Sequence, residues 1–248
     1  MEDSQETFLS HLIELRDRLI RCLVAVGLAF IPAFIYSGQL YDLLARPVME
    51  ALPQGSHMIA TGVITPFLIP MKISLMAAFL VMLPYVLYQV WAFVAPGLYA
   101  HEKRLVLPLI VSSTVLFFGG MAFCYFLVFE RFFAFINSWA PKSISVAPDI
   151  EAYFNFALGM FIAFGTAFEI PVVVVVLAIT GVVNTQQLRE WRGYVIVGIF
   201  IVAAVVTPPD VVSQISLAIP MCLLYEAGIF FAGFVQRRNV PQLEKPSP

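Results

Sequence analysis

Three glutamates are the residues best placed to do chemistry. Glu14 lies just before the first long apolar run, in His11-Leu12-Ile13-Glu14-Leu15-Arg16-Asp17-Arg18-Leu19. Glu102 follows the second, in Ala95-Pro96-Gly97-Leu98-Tyr99-Ala100-His101-Glu102-Lys103-Arg104. Glu169 stands inside the fourth, in Phe168-Glu169-Ile170-Pro171. A carboxylate at the edge of a bilayer, partly shielded from water, is a good receptor for a guanidinium. The bond is charge-assisted and can be bidentate, which favours Arg over Lys. Local pairing is the competing reading. Glu14 and Arg18 are four apart on an expected helix, a pair worth a few tenths of a kcal/mol, and Glu102 has Lys103 and Arg104 beside it. A carboxylate within a span costs about 2.5–3.5 kcal/mol on insertion scales, so Glu169 needs an account. Three stand open: a protonated structural group bonded to a carbonyl that Pro171 frees, a ligand for a transported ion or proton, or a polar pocket for a partner helix.

Other chemistry lacks its parts. The sequence has no Walker motif, no GxSxG, no HExxH and no Cys/His metal spacing. His11, His57 and His101 are dispersed, and Ser112, Ser113 and Ser213 have no general base beside them. Cys22, Cys124 and Cys222 lie in apolar runs without CxxC spacing and read as apolar fillers. No metal, no cofactor and no enzyme activity is expected, and a membrane hydrolase is disfavoured.

The elements that carry these residues are membrane spans. The chain of 248 residues is 60% hydrophobic and only 12% charged, where soluble domains carry about 25%. A mean hydropathy of +0.89 agrees. So few charges could not cover a soluble surface of this size. The net charge of -2 offers no strong attraction to phosphates, so no nucleic-acid partner is expected. The acidic first 19 residues match neither a signal nor a transit peptide, and the first apolar run is expected to be a retained span.

A helical span needs about 20 apolar residues. Charge-free stretches place six: roughly Ile20–Tyr36, Leu75–Phe93, residues 105–129, residues 152–180 with Glu169 inside, 193–209 and 211–225. The last two are short. Tyr194–Val206 would be about 20 Å long as a helix. Thr207-Pro208-Pro209-Asp210 must turn between them, because paired prolines block helix continuation; one re-entrant segment covering both is the alternative. Pro84, Pro108, Pro171 and Pro220 should kink their spans. Gly228-xxx-Ala232 offers a close-packing face. Glu226 is expected to reach the interface, and Lys72 to snorkel.

Six spans put both ends on one side. Ten Lys/Arg, among them Arg16, Arg18, Lys103, Arg104, Arg189 and Arg192, fall on the side of the termini; Arg46, Lys72, Arg131 and Lys142 fall on the other. The positive-inside rule then places both termini in the cytoplasm. The long outer loops are residues 37–72 and 130–152. Tyr41–Leu44 and Ala152–Phe156 read as short amphipathic pieces at the interface. No internal repeat supports an inverted-repeat transporter.

Four motifs in order carry a resemblance: His11-Leu12-Ile13-Glu14-Leu15-Arg16; Tyr88-Gln89-Val90-Trp91-Ala92-Phe93-Val94-Ala95-Pro96 with Glu102; Phe168-Glu169-Ile170-Pro171; and Thr207-Pro208-Pro209-Asp210. From Phe8 to about Phe234 the chain resembles the TatC family, the polytopic core of the twin-arginine protein translocase. Residues 51–61 look most like proteobacterial members.

The resemblance implies an all-α integral membrane protein of the bacterial cytoplasmic (inner) membrane. Six transmembrane helices would form a concave, glove-like wall, with helices five and six short. Residues 1–236 would be a single transmembrane domain and 237–248 a cytoplasmic tail. It further implies a receptor and channel-forming component for signal peptides with consecutive arginines. The receptor would self-associate, work with single-span TatA- and TatB-type partners, and export folded proteins on the proton-motive force without ATP. Glu14 and Glu102 match positions implicated in binding the two arginines. Arg16, Leu19 and Phe93 match positions of the recognition surface, and Pro47 and Asp210 match outer-loop positions that hold architecture. Glu169 matches the family's intramembrane carboxylate, for which the resemblance favours partner-helix contact. Thr207 and Gln214 match a polar patch linked to TatA/TatB docking. Two departures, Asp17 and Ala100, stand where relatives often carry a basic residue. An ion-coupled secondary transporter centred on Glu169 is the alternative function.

Overall fold

The computed structural model describes residues 2–52, 57–94, 103–139, 147–206 and 211–239. Glu102, Thr207 and Asp210 therefore lie outside the described residues. The chain is helical almost throughout: α1 (Glu2–Ile35), α2 (Ser37–Ala51), α3 (Thr65–Val81), α4 (Leu83–Val94), α5 (Lys103–Phe123), a π-helical turn (Cys124–Val128), α6 (Phe129–Trp139), α7 (Ile150–Ala167), α8 (Ile170–Ile179), α9 (Thr185–Glu190), α10 (Arg192–Val206) and α11 (Val211–Asn239).

Apolar elements occupy the six expected positions. Four segments are long and apolar enough to span alone: Leu9–Ile35, Leu107–Ile136, Ile150–Ile179 and Ser213–Phe234. The second position is the bent pair α3–α4, and the fifth is the shorter apolar stretch Arg192–Val205. The outward-facing surface is apolar, as lipid requires: Leu23, Leu28, Ile31, Val115 and Phe230 are all well exposed.

Several expectations change in detail. The sixth helix is not short: α11 runs past Glu226, and its apolar segment reaches Phe234. The charge does not end the span because Arg192 meets it, Nη2 donating to Glu226 Oε2 at 2.5 Å. Lys72 does not snorkel into solvent but lies inside α3, where Nζ donates to Asn155 Oδ1 at 2.9 Å and stands 3.5 Å from Glu151 Oε1. The outer loops contain helix: all of α2 and α6, and the start of α3. Ala152–Phe156 is the first part of the fourth span, not a separate interfacial piece.

The prolines divide into two groups. Between α3 and α4 the axis turns by 61° at Met82, two residues before Pro84. Pro171, lacking an N–H, cannot close the bond to Ala167 O, and the helix breaks at Phe168–Glu169 before restarting as α8. By contrast, α5 and α11 run on unbroken through Pro108 and Pro220.

The chain forms two compact units, residues 1–114 with 125–159, and residues 115–124 with 160–248. In the first unit, Tyr153 Oη donates to Leu44 O (2.6 Å) and Tyr125 Oη to Leu43 O (2.9 Å), tying α7 and the π turn to α2. The outer segments join as well: Ile59 N donates to Pro148 O at 3.0 Å and Ile150 N to Ile59 O at 2.8 Å. Asp149 accepts from Thr61 Oγ1 (2.7 Å), Thr61 N (3.2 Å) and Ala152 N (2.9 Å), so one carboxylate starts α7 and holds the other loop. Those bonds, the Thr61 hydroxyl first, hold its carboxyl below the usual range.

In the second unit the core is Val174, Ala178, Val183, Leu188, Tyr225, Ile229 and Ala232. The expected small-residue face forms here. A Cβ on Gly228 would stand 2.9 Å from Pro171 Cα and 3.0 Å from Val174 Cβ, so only glycine allows α11 to lie this close to α8. Tyr225 Oη donates to Leu188 O at 2.7 Å, which satisfies the buried phenol.

Candidate functional site: the Glu14 cluster

Glu14 and Arg18 lie one turn apart on α1, and Tyr85, Gln89 and Phe93 recur every four residues on α4. Each set therefore shares one helix face. Arg18 donates through Nε and Nη2 to Glu14 Oε1, at 2.9 and 2.6 Å. Its Nη1 donates to Gln89 Oε1 at 3.0 Å. Gln89 is buried, and its Nε2 donates on to Tyr85 Oη at 2.8 Å. One turn before Glu14, the His11 ring stacks on Phe93 at 4.3 Å and 15°. His11 meets Phe93 while Arg18, further along α1, meets Gln89, earlier on α4. The two helices are therefore antiparallel, as successive spans must be.

Among the described residues, the geometry leaves Glu14 half-used. Both Arg18 nitrogens bind Oε1; Oε2 is 3.8 Å from His11 Nδ1, beyond hydrogen-bond distance. The Glu14 side chain is 43% exposed, against 21% for Arg18. Arg18 holds the carboxylate in a fixed rotamer from the helix side, and the second oxygen can accept a further donor.

The other expected residues distribute as follows. Phe93 joins the cluster through His11. Arg16 does not: its Nε and Nη2 bind the adjacent Asp17 at 3.0 and 2.8 Å. The acid at position 17 thus takes up the neighbouring guanidinium. Leu19 is exposed on α1. Glu169 is buried, 8% exposed, in the break between α7 and α8, and its side chain does not cap α8. Gln214 Nε2 donates to Phe200 O at 3.3 Å, linking α11 to α10. Pro47 lies within α2, on the wall of a cavity of about 580 Å³ shared with Arg46, Glu50, Tyr125, Phe126, Glu130 and Ala134. Among the described residues no group of His, Cys, Asp and Glu could hold a metal.

The sequence reading passed over four members of the cluster. Arg18 entered as a local partner of Glu14 and in the charge count, His11 as a dispersed histidine and within a motif, Gln89 only within a motif, and Tyr85 not at all. The 85/89/93 spacing was available, but not the face it would meet.

The family model described as Sec-independent protein translocase protein (TatC) matches residues 10–220. The chain belongs to the TatC family. A TatC of Escherichia coli is 48% identical over 234 residues, covering 94% of this chain and 90% of its own. That of Haemophilus influenzae is 45% identical over 237 residues, covering 96% and 93%. A crystal structure of a twin arginine translocase receptor, TatC, superposes with a TM-score of 0.79 at 37% identity, covering 92% of this chain and all of that one. This TatC-family chain is thus a multi-pass, all-α membrane protein and a protein translocase component. The likeness favours translocation over the ion-coupled transporter alternative.

Proposed function

We propose that this chain is the receptor core of a twin-arginine translocase in the bacterial inner membrane, and that Glu14 takes a guanidinium of the signal peptide. The observation that carries this reading is the half-used carboxylate: fixed by Arg18 through Oε1, exposed, and with no hydrogen bond to Oε2 among the described residues. An arginine fork suits that acceptor better than a lysine ammonium. Glu102, at the same membrane face by the charge distribution, is the expected partner for the second arginine. Leu19 and Phe93 border the path of the apolar segment that follows. The reaction is binding, not covalent chemistry: the chain acts as a non-enzymatic, cofactor-free receptor in one transmembrane domain, with its termini in the cytoplasm. TatA- and TatB-type single-span helices dock on the side of Glu169, Thr207 and Gln214, copies of the receptor self-associate, and the proton-motive force drives export of folded cargo.

The test is photo-crosslinking from positions 14 and 102 to an Arg-Arg signal peptide and to its Lys-Lys version. Crosslinks that form with Arg-Arg and disappear with Lys-Lys support a guanidinium site. Equal crosslinking by both peptides, or by neither, would return Glu14 to a local ion pair.

A further inference from the structure

We propose that the cavity between α2 and the π turn of the third span binds the headgroup of an amine-bearing phospholipid, of the phosphatidylethanolamine type. Depth is the first argument. The apolar segment Leu107–Ile136 has 30 residues. At 1.5 Å per residue it is about 45 Å long, against about 30 Å of hydrocarbon. Its start follows the Lys103-Arg104 pair of the cytoplasmic side. About 20 residues from Leu107, the hydrocarbon ends near Phe126. Tyr125 and Phe126 therefore stand at the outer boundary, where aromatic side chains gather, and Glu130 and Ala134 stand one to two turns further, in the headgroup layer. The molecule found at that depth is a lipid.

Local structure is the second argument. The helix widens into a π turn at Cys124–Val128, a rare form concentrated at functional sites. Cys124 and Val128 are buried while Phe126 stays exposed, and Tyr125 is pinned by its bond to Leu43 O. The turn thus sets two aromatic rings on the cavity wall opposite α2.

The charges choose the headgroup. Arg46 binds Glu50 at 2.6 Å through Nε, which leaves guanidinium N–H groups for a phosphate. Glu50 and Glu130 make the lining net negative. A purely anionic headgroup is repelled by that excess, whereas a phosphate followed by a primary ammonium finds a donor and then acceptors. A quaternary amine has no N–H to give them. The volume lies within the range of small-ligand sites. None of this depends on what Glu14 receives.

The test uses the full chain in phosphatidylcholine nanodiscs. These carry trace photoactivatable phosphatidylethanolamine, phosphatidylglycerol or phosphatidylcholine, and cross-linked sites are mapped by mass spectrometry. Phosphatidylethanolamine should label residues 125–134 about three- to fivefold more than the others, the range of an exposed ion pair. Glu130→Gln should remove its advantage over phosphatidylcholine, and Arg46→Gln should lower labelling by all three. Both side chains are exposed, and unchanged thermal unfolding of each variant checks that folding is intact. Equal labelling by the three lipids would overturn the proposal. So would a preference that survives Glu130→Gln, or competition by water-soluble glycerophosphoethanolamine at the lipid's own concentration.

Discussion

Replacing Glu14 by Gln tests the receptor reading most directly, because the change keeps shape and removes charge. Charge-assisted hydrogen bonds contribute about 1.5–3 kcal/mol. Glu14 is 43% exposed, so the lower end applies. Losing about 1.5 kcal/mol weakens binding about tenfold. A second effect comes from Arg18. With position 14 neutral, its guanidinium keeps the amide oxygen there and Gln89 Oε1 as acceptors but loses its counter-charge. An arginine arriving about 6 Å away, at an effective dielectric of about 40, meets about 1.4 kcal/mol of repulsion from Arg18 in the parent and in this variant alike, a factor of about ten that only the loss of Arg18 removes. Glu14→Gln should therefore weaken an Arg-Arg signal peptide about tenfold. The double variant Glu14→Gln/Arg18→Gln should recover about tenfold of that loss, since the repulsion goes with Arg18. The assay is fluorescence anisotropy of a labelled peptide on the chain in nanodiscs at low salt, with the Lys-Lys peptide in parallel. Glu14→Gln binding within twofold of the parent would refute the carboxylate's role. A double variant no better than the single would refute the repulsion argument.

Gly228→Leu should lower the thermal midpoint in detergent, since its Cβ meets the Pro171 backbone at 2.9 Å and overpacking costs about 1–3 kcal/mol; Gly27→Ala, with open space around it, should leave the midpoint unchanged or raise it. Ser113→Ala should cost about 1–3 kcal/mol in denaturant titration, because Trp91 Nε1 donates to Ser113 Oγ at 2.9 Å and both residues are buried; an unchanged midpoint would contradict that bond. The Asp149 carboxyl is held below its ordinary value. A lowered folded-state pKa gives stabilisation that is complete above the unfolded value of about 3.9 and lost as pH falls through the folded one. Protection of the Ile59 and Ile150 amides, taken relative to the intrinsic exchange rate at each pH, should thus be constant with respect to the Asp149 charge between pH 5 and 7 and fall below about pH 4. Asp149→Asn should abolish that acid-side step, and a step near pH 6 would refute the assignment.

The features legible in the sequence were those with a one-dimensional signature. The apolar stretches need only residue type and order, and the break at Pro171 needs only the missing N–H. The bend near Pro84 follows from the same rule, but the unbroken passage through Pro108 and Pro220 does not, because a helix can tolerate proline when its neighbours meet the freed carbonyl. Span ends were misplaced where a charge was read as a boundary. Glu226 and Lys72 sit inside helices because Arg192, Asn155 and Glu151 come to them in three dimensions. The π turn left no mark in the sequence, since no composition demands it. The sixth helix was underestimated for the same reason: a paired charge was counted as if it stood alone.

On the proposed reading, Glu14 is a receptor carboxylate that is both structural and available. The sequence posed local pairing and ligand binding as rivals, but the geometry makes them compatible. Arg18 engages one oxygen and anchors to buried Gln89, so the carboxylate is oriented before any ligand arrives. An arriving arginine then need not freeze a mobile acid, a cost that falls on every flexible side chain ordered by binding. The same pairing weakens the site, because a second guanidinium must approach the first. On the proposed reading, affinity is thereby moderated and selectivity kept, as suits a receptor that must release each signal peptide. Arg18→Lys separates the two roles. A lysine keeps the charge but cannot bridge Glu14 Oε1 and Gln89 together through a planar fork. It should therefore lower the discrimination between Arg-Arg and Lys-Lys peptides, with the repulsive contribution to affinity retained. If discrimination is unchanged, preorganisation by Arg18 is not its source.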